Sequence, residues 1–248
     1  SDTISQAIAK GDFTIQIQVT GLDDTPTQTA TGLTGQLFAS GAYDGASAPT
    51  FDSTTDWPVN SQLLVNPTDI TKGSTIAFKD SYIVGGTFVS GDLSTGGVQV
   101  SISLVFQGVA LTLSVNHAVI TFDHTDANTA GNGTIAGVID TSELIDGLKK
   151  VAGRISPSLC GSAFDGIAQQ ITQASDIGKD GTNTAGATCD GISIGLGFVG
   201  KKIANPTKIA SDDGAVPPDP CTASPDSGTT DTGTGSETGV SADTGTGD

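Results

Sequence analysis

Apolar and polar residues alternate along several stretches of the chain, with the period of a β-strand that has one buried face. The longest such run, VQVSISLVFQGVALTLSVNHAVITFDHTD, covers residues 98–126 and is interrupted by Gln107 and Gly108. Apolar side chains share one face before this pair and one face after it, which predicts an antiparallel hairpin. After Asn116 the apolar phase slips by one residue, and this slip predicts a β-bulge at His117.

Other alternating stretches have Gly, Pro or Asp at their ends and predict further strands. They are FTIQIQV, WPVNSQLLV, STIAFKDSY, TIAGVI and GISIGLGF. In STIAFKDSY the buried face is expected to hold Ile76, Phe78 and Tyr82. With at least eight candidate strands, most of them alternating, the sequence predicts a mainly β fold, an antiparallel two-sheet β-sandwich of jelly-roll type.

Two helices are predicted between the last two strands. Asp140 and Glu143 fit an N-cap and N3 pair, and Ser162 is expected to cap the second helix. Apolar residues recur at helical spacing in both segments: Leu144, Leu148, Val151 and Ile155, then Phe164, Ile167, Ala168 and Ile171. The pattern predicts a helical insertion around residues 141–176 that covers the sandwich, within one domain over residues 1–211.

Charge narrows the range of partners. Ten basic residues stand against 27 acidic ones, for a formal net charge of -17. Such a chain repels phosphate backbones and anionic lipid surfaces, so nucleic acid is not an expected partner. Residues 212–248 lack aromatic residues, Lys and Arg and repeat DTGTG. This composition predicts a disordered acidic tail that holds the domain away from a wall or membrane, with an anchor expected beyond Asp248.

The three cysteines lack CxxC spacing and neighbouring histidines, which disfavours a zinc site. They allow three single bridges. We expect Cys160 to pair with Cys189, because both lie at edges of structured segments while Cys221 lies in a Pro-rich stretch. Cys221 would then be left over or would join two chains in a covalent dimer. A disulfide indicates an oxidising, extracytoplasmic compartment.

Two loops are candidate calcium sites. FDHTDANTAGNGT offers Asp123, Asp126 and Asn128, with Asn132 nearby, and their oxygens are of the type that calcium prefers. DIGKDGTN, residues 176–183, is a second partial match. Neither loop has EF-hand spacing, and a solvated connection is the alternative interpretation.

Aromatic residues that could stack on a glycan are few. Tyr43, Trp57 and Tyr82 are the candidates, although Trp57 is in phase with Val59 and fits a core position equally well.

GISIG, residues 191–195, matches the G-x-S-x-G pattern of serine hydrolases. That motif needs a sharp turn into a helix after the serine, and a triad would need His117 or His124. The alternation around Ser193 instead predicts an outward-facing strand residue.

SLCGSAFDGIAQQITQASDIGKDGTNTAGATCDGISIGLGF, residues 158–198, resembles a stretch of uncharacterised secreted or surface-attached proteins of myxobacterial type. The shared features are a cysteine before a helix, A-S-D-I, D-G-T and the ending C-x-G-I-S-I-G-x-G-F. The resemblance implies an envelope location, adds weight to the pairing of Cys160 with Cys189, and brings no activity with it.

The sequence predicts a non-enzymatic extracellular or cell-surface module with an adhesive or structural role, as a subunit of an assembly or bound to a surface glycan. Exposed strand edges, or the segment before Phe13, would make contacts by strand addition. The alternatives are a calcium-dependent glycan-binding module and a secreted hydrolase.

Overall fold

The computed structural model describes residues 2–25, 28–91, 98–106, 109–210 and 221 of the chain. In this part of the chain eight strands form one sheet, with neighbouring strands antiparallel. The strands are β1 (Ile15–Thr20), β2 (Ala30–Ala39), β3 (Ala77–Val84), β4 (Thr87–Val89), β5 (Val98–Phe106), β6 (Val109–Asp126), β7 (Thr129–Asp140) and β8 (Gly191–Lys201). The helices are α1 (Asp2–Lys10), α2 (Thr141–Ile155) and α3 (Ser162–Gln173).

The sheet curls into a half-barrel around the 18-residue strand β6. The strand order is β1-β2-β3-β4-β6-β7-β8, and β5 pairs with β6 beyond the end of β4. β4 and β5 lie end to end along one edge of β6, so β6 pairs with both of them. The mainly β, antiparallel character is confirmed, whereas the two-sheet sandwich is not: alternation marks buried faces without distinguishing one curled sheet from two packed ones.

The hairpin predicted at Gln107 and Gly108 is confirmed, since Phe106 pairs with Val109; the two turn residues themselves lie outside the described residues. The bulge is confirmed as well. His117 has a φ of 52°, and the register between β6 and β7 shifts between Asn116 and Val119.

Residues 57–65 do not form the predicted strand. Val59 makes only isolated bridges, and Ser61–Leu63 is a short 3-10 helix in which the Gln62 N–H donates to the Asn60 side chain. The sequence pattern does not predict β2 and β4, the first of which is interrupted by Gly32 and Gly35.

In β3 a bulge changes which residues face the core. Asp80 has a φ of 55°, so the alternation shifts after it. Phe78 is buried as predicted, but Ser81 and Ile83 take the next inward positions, and Tyr82 is half-buried.

The core fills the inside of the curl. The Phe88 ring stacks on Phe122 with centroids 4.6 Å apart and meets the edge of Phe78 at 6.2 Å. The other fully or nearly fully buried members of this cluster are Leu33, Leu37, Ile76, Ile83, Val100, Val115, Ala118, Ile120, Ile135 and Ile139.

The two helices after β7 are confirmed. The Asp140 side chain accepts hydrogen bonds from the backbone N–H groups of Ser142 and Glu143 at the start of α2. The cap predicted for α3 is wrong: Ser162 is its first residue, and Gly161 precedes it with a φ of 68° and no side-chain cap. Leu144 of α2 packs against the sheet core.

The predicted disulfide is also wrong. Cys160 is bonded to Cys221, with their Cα atoms 5.2 Å apart, and Cys189 is a free thiol. After β8, residues 202–210 return along residues 55–59, where Val59 bridges Ile209. The bond to Cys160 places Cys221 beside the start of α3. The remaining residues of the predicted tail, 212–248, lie outside the described residues. A disulfide is consistent with an extracytoplasmic location.

Candidate functional site

Strand β8 lies at one end of the sheet. It pairs with β7 along its whole length, from Gly191 opposite Asp140 to Lys201 opposite Thr129. Among the described residues no strand pairs with its other edge, which we call the outer edge.

The backbone groups on this outer edge are identified by the contacts at the start of β8. Gly191 exchanges backbone hydrogen bonds with Ile177, and the Ser193 N–H donates to Asp176 Oδ1 at 2.8 Å. Since the groups of alternate residues point to the same edge, the next outward groups belong to Gly195, Gly197 and Val199. None of these three has a backbone partner on that edge in the described part of the chain.

Asp176 closes the beginning of the outer edge. Its carboxylate accepts the Ser193 hydroxyl as well as the Ser193 N–H. These hydrogen bonds, that of the Ser193 side chain first, lower the pKa of Asp176 below its ordinary value. The open part of the edge therefore begins after Ser193.

The two faces of β8 differ. Ile194 and Phe198 face the core and pack against it, and Leu196 between them is 43% exposed. On the opposite face Val199 is 71% exposed. A Cβ added at Gly195 would have no atom of the described residues within 4 Å, so none of them covers this face above the strand.

Charge is scarce along β8, where Lys201 is the only charged residue. The Lys201 ammonium donates to the Thr129 hydroxyl at 3.0 Å and is exposed. At the other end of the strand Lys179 forms an ion pair with Asp140 at 3.1 Å and lies 3.8 Å from Asp190. Between these ends the edge carries only Gly, Ser and apolar side chains.

The predicted calcium ligands lie near the β6–β7 turn. Asp123 accepts hydrogen bonds from the Thr87 hydroxyl and the Asn132 amide, and Asp126 accepts from the backbone N–H of Asn128. The bond from Asn132 lowers the pKa of Asp123, and the bond from Asn128 lowers that of Asp126. Across the described ranges no group of three or more His, Cys, Asp or Glu residues is arranged to hold a metal. Calcium binding here stays a prediction.

The second candidate loop lines part of a half-open pocket of about 270 Å³ that also borders Cys189. The Asp180 carboxylate accepts the backbone N–H and the hydroxyl of Thr182 at 3.0 and 2.7 Å. These bonds fold the loop on itself and lower the pKa of Asp180, the hydroxyl bond contributing most.

The three aromatic residues that could stack on a glycan do not form one shared binding surface. Trp57 has no exposed surface, and its indole N–H donates to the Gly41 carbonyl, so the core position is correct and the ligand-stacking role is wrong. Tyr43 packs against Trp57 with centroids 5.3 Å apart. Tyr82 lies on β3 and is half-buried. Stacking on Tyr43 or Tyr82 stays a prediction.

The hydrolase motif does not form a nucleophile elbow. Ser193 lies within β8, which continues to Lys201 without the turn and helix that expose a nucleophilic serine. His124 is buried in β6 with Nδ1 3.5 Å from the Gln28 amide, and the His117 ring lies against Gly181. The sequence pattern predicts contacts at strand edges but does not identify which strand is terminal. One signal in the sequence could have indicated β8. It is the last alternating run before the C-terminal segment, and it carries no charged residue before Lys201.

No helix in the described part of the chain combines the length and apolar character needed to cross a membrane. Comparison of the sequence with protein-family models and with curated proteins, and of the fold with solved structures, finds no match.

Proposed function

We propose that the chain is a non-enzymatic extracellular module with a structural or adhesive role, and that it makes its contacts by strand addition at the outer edge of β8. The observation that carries this proposal is the run of outward backbone groups at Gly195, Gly197 and Val199, which have no partner among the residues that the structure describes. A strand from another molecule can pair with these groups and extend the sheet.

Unprotected edges are uncommon, because they promote association between molecules. Proteins usually protect them with charged side chains, proline, bulges or covering segments. β8 has neither proline nor charge before Lys201, and its bulge lies on the β7 side, at residues 131–132. The terminal strand at the other end, β1, has six residues, and its Gln18 amide donates to Asn205 of the returning C-terminal segment.

The segment before Phe13 forms helix α1 and is not an extended strand, which leaves β8 as the better surface for strand addition. Three acidic side chains beside the start of β8, Asp140, Asp176 and Asp190, accept hydrogen bonds within the fold, which suits a supporting role better than a catalytic one.

The location that we propose is the outside of a bacterial cell, either secreted or attached to the surface. The disulfide, the net charge of -17 and the acidic composition of residues 212–248 support it.

A peptide with the β8 sequence GISIGLGFVGK tests the proposal as a fluorescent probe strand. We expect it to bind the full chain and to lose binding when the seventh residue is proline, because proline cannot donate the central hydrogen bond.

Two variants of the chain serve as a matched pair in the same assay. Val199→Lys places a charge on the outer edge and should abolish binding. Val84→Lys makes the same change at a β3 residue that is 59% exposed and should not alter it. Equal binding by both variants, or none by the wild-type chain at concentrations at which it is monomeric, would contradict the proposal.

A further inference from the structure

We infer that the strand added to β8 is β8 of a second copy of this chain, antiparallel, with a two-fold axis at Gly197. This inference rests on the proposed function. Within the described residues four features of β8 agree with this occupant: the position of its outward groups, its two exposed apolar side chains, the space above Gly195, and the charges at its two ends.

The outward residues of β8 set the backbone register of the pair. In an antiparallel pair of identical strands centred on Gly197, Gly195 of one copy lies opposite Val199 of the other, and the two Gly197 residues face each other. Gly195, Gly197 and Val199 are the outward residues, so each of these pairs can exchange both of its backbone hydrogen bonds. A register shifted by one residue would place inward groups, already bonded to β7, at the contact.

The exposed apolar side chains are covered in the same register. Val199 of one copy lies over Gly195 of the other, where a Cβ has no neighbour within 4 Å. Leu196 lies opposite the second copy's Phe198, on the core-facing side of the joined sheet. Leu196 and Val199 are the two large apolar residues of β8 that are exposed, at 43% and 71% respectively.

Charge favours β8 of a second, antiparallel copy over other strands of similar shape as the occupant of the outer edge. Pairing ends at Ser193, whose N–H is occupied by Asp176. The residue of the second copy that arrives there is Lys201, the single cation of β8, and it meets the Asp176 carboxylate. Two-fold symmetry produces this contact twice. The Lys201 ammonium has three donors, and the bond to Thr129 uses one of them.

Disulfide trapping in the full chain tests the register. In a Cys189→Ser background, Gly197→Cys should cross-link two chains, because Cα atoms of a hydrogen-bonded antiparallel pair lie about 5.5 Å apart, within the range of a disulfide. The new side chain fits, since a Cβ at this position is 3.9 Å from its nearest neighbour.

A mixing experiment makes the test specific. Gly195→Cys and Val199→Cys should each stay uncross-linked alone and should cross-link when mixed, because identical residues at these positions are displaced by four residues, about 13 Å. Val84→Cys, exposed on β3, is the control for random collision and should not cross-link.

Charge reversal gives an independent readout. Lys201→Glu should weaken dimerisation about fivefold, since it replaces two attractive contacts with repulsive ones on the surface. Lys72→Glu, exposed in the 3-10 helix Ile70–Lys72, changes the net charge equally and should have a much smaller effect.

The outcomes separate the two proposals. Cross-linking of Gly195→Cys with itself would overturn the register. If the chain stays monomeric in every experiment but still binds the probe peptide, the second copy is not the occupant of the edge, and the proposal of strand addition stands. Monomers together with no peptide binding would overturn both.

Discussion

The Asp176 carboxylate accepts both the backbone N–H and the hydroxyl of Ser193 and so closes the outer edge of β8 at that residue. Beyond Ser193, no described residue pairs with the edge at Gly195, Gly197 and Val199. The same carboxylate therefore limits the edge within one chain and offers a negative charge to a strand arriving from another.

Asp176→Ala should expose the Ser193 amide and speed its hydrogen exchange, because the bond that covers it is lost. Asp180→Ala is the control, since its carboxylate bonds Thr182 in the neighbouring loop. The pKa of Asp176 is lowered in the folded chain, so its contribution to stability is present above the unfolded pKa and is lost as the pH falls through the folded value. Unchanged exchange at Ser193 in Asp176→Ala would show that the bond does not persist in solution.

Asp140 links helix α2 to the β8 end of the sheet and should make stability depend on acid pH. The pKa of Asp140 is lowered from 3.8 to about 2. The largest cause is the hydrogen bond from the Ser142 hydroxyl, and the bonds from Lys179 and from the backbone N–H groups of Ser142 and Glu143 add to it. Its contribution is complete above about pH 4 and is lost between about pH 4 and 2. Asp140→Ala should cost about 1–2 kcal/mol at pH 7 and flatten this part of the profile, as measured by urea unfolding. An equal pH slope in wild type and variant would contradict the assignment.

The disulfide can be mapped by mass spectrometry, which should find Cys160 linked to Cys221 and Cys189 free. The chain-entropy model assigns on the order of 4 kcal/mol to a bridge that spans 61 residues. Cys221→Ser should therefore lower the free energy of unfolding by several kcal/mol, while Cys189→Ser should leave it nearly unchanged. A peptide linking Cys160 to Cys189 would contradict the pairing of Cys160 with Cys221.

Gln16 is a buried polar residue in β1 that connects three parts of the chain. Its amide donates to the Ser40 hydroxyl at 2.8 Å and to the Trp57 carbonyl at 3.0 Å. Gln16→Ala should destabilise the chain by about 2–3 kcal/mol, because it leaves a buried acceptor unpaired and opens a cavity. The matched change Gln18→Ala, at a partly exposed position, should cost less than about 1 kcal/mol in the same denaturant titration.

Much of the local structure could be predicted from the sequence, because alternation and capping are local signals. The hairpin at Gln107, the bulge at His117 and the cap at Asp140 are of this kind. Gln16 shows where the signal fails. It alternates as an outward residue of β1, but the segment around Trp57, between β2 and β3, covers that face as well, and the side chain is buried by contacts distant in sequence.

The errors share the same cause. Pairing of Cys160 with Cys221 depends on the path of the chain after β8, and the burial of Ser81 depends on a left-handed residue at Asp80 that composition does not mark. The open edge of β8 also depends on tertiary structure, since the order of strands in a sheet decides which strand is terminal.

The most direct test of the account is the sedimentation velocity of the wild-type chain and of Gly197→Pro over a wide range of concentration, in EDTA. The Gly197 N–H points away from β7, so proline removes a donor from the outer edge without breaking the sheet, and edge strands tolerate proline at such positions. The account predicts that the wild type dimerises with rising concentration and that the folded Gly197→Pro chain stays monomeric. Equal association of the two chains, or a wild type that is monomeric throughout, would contradict it.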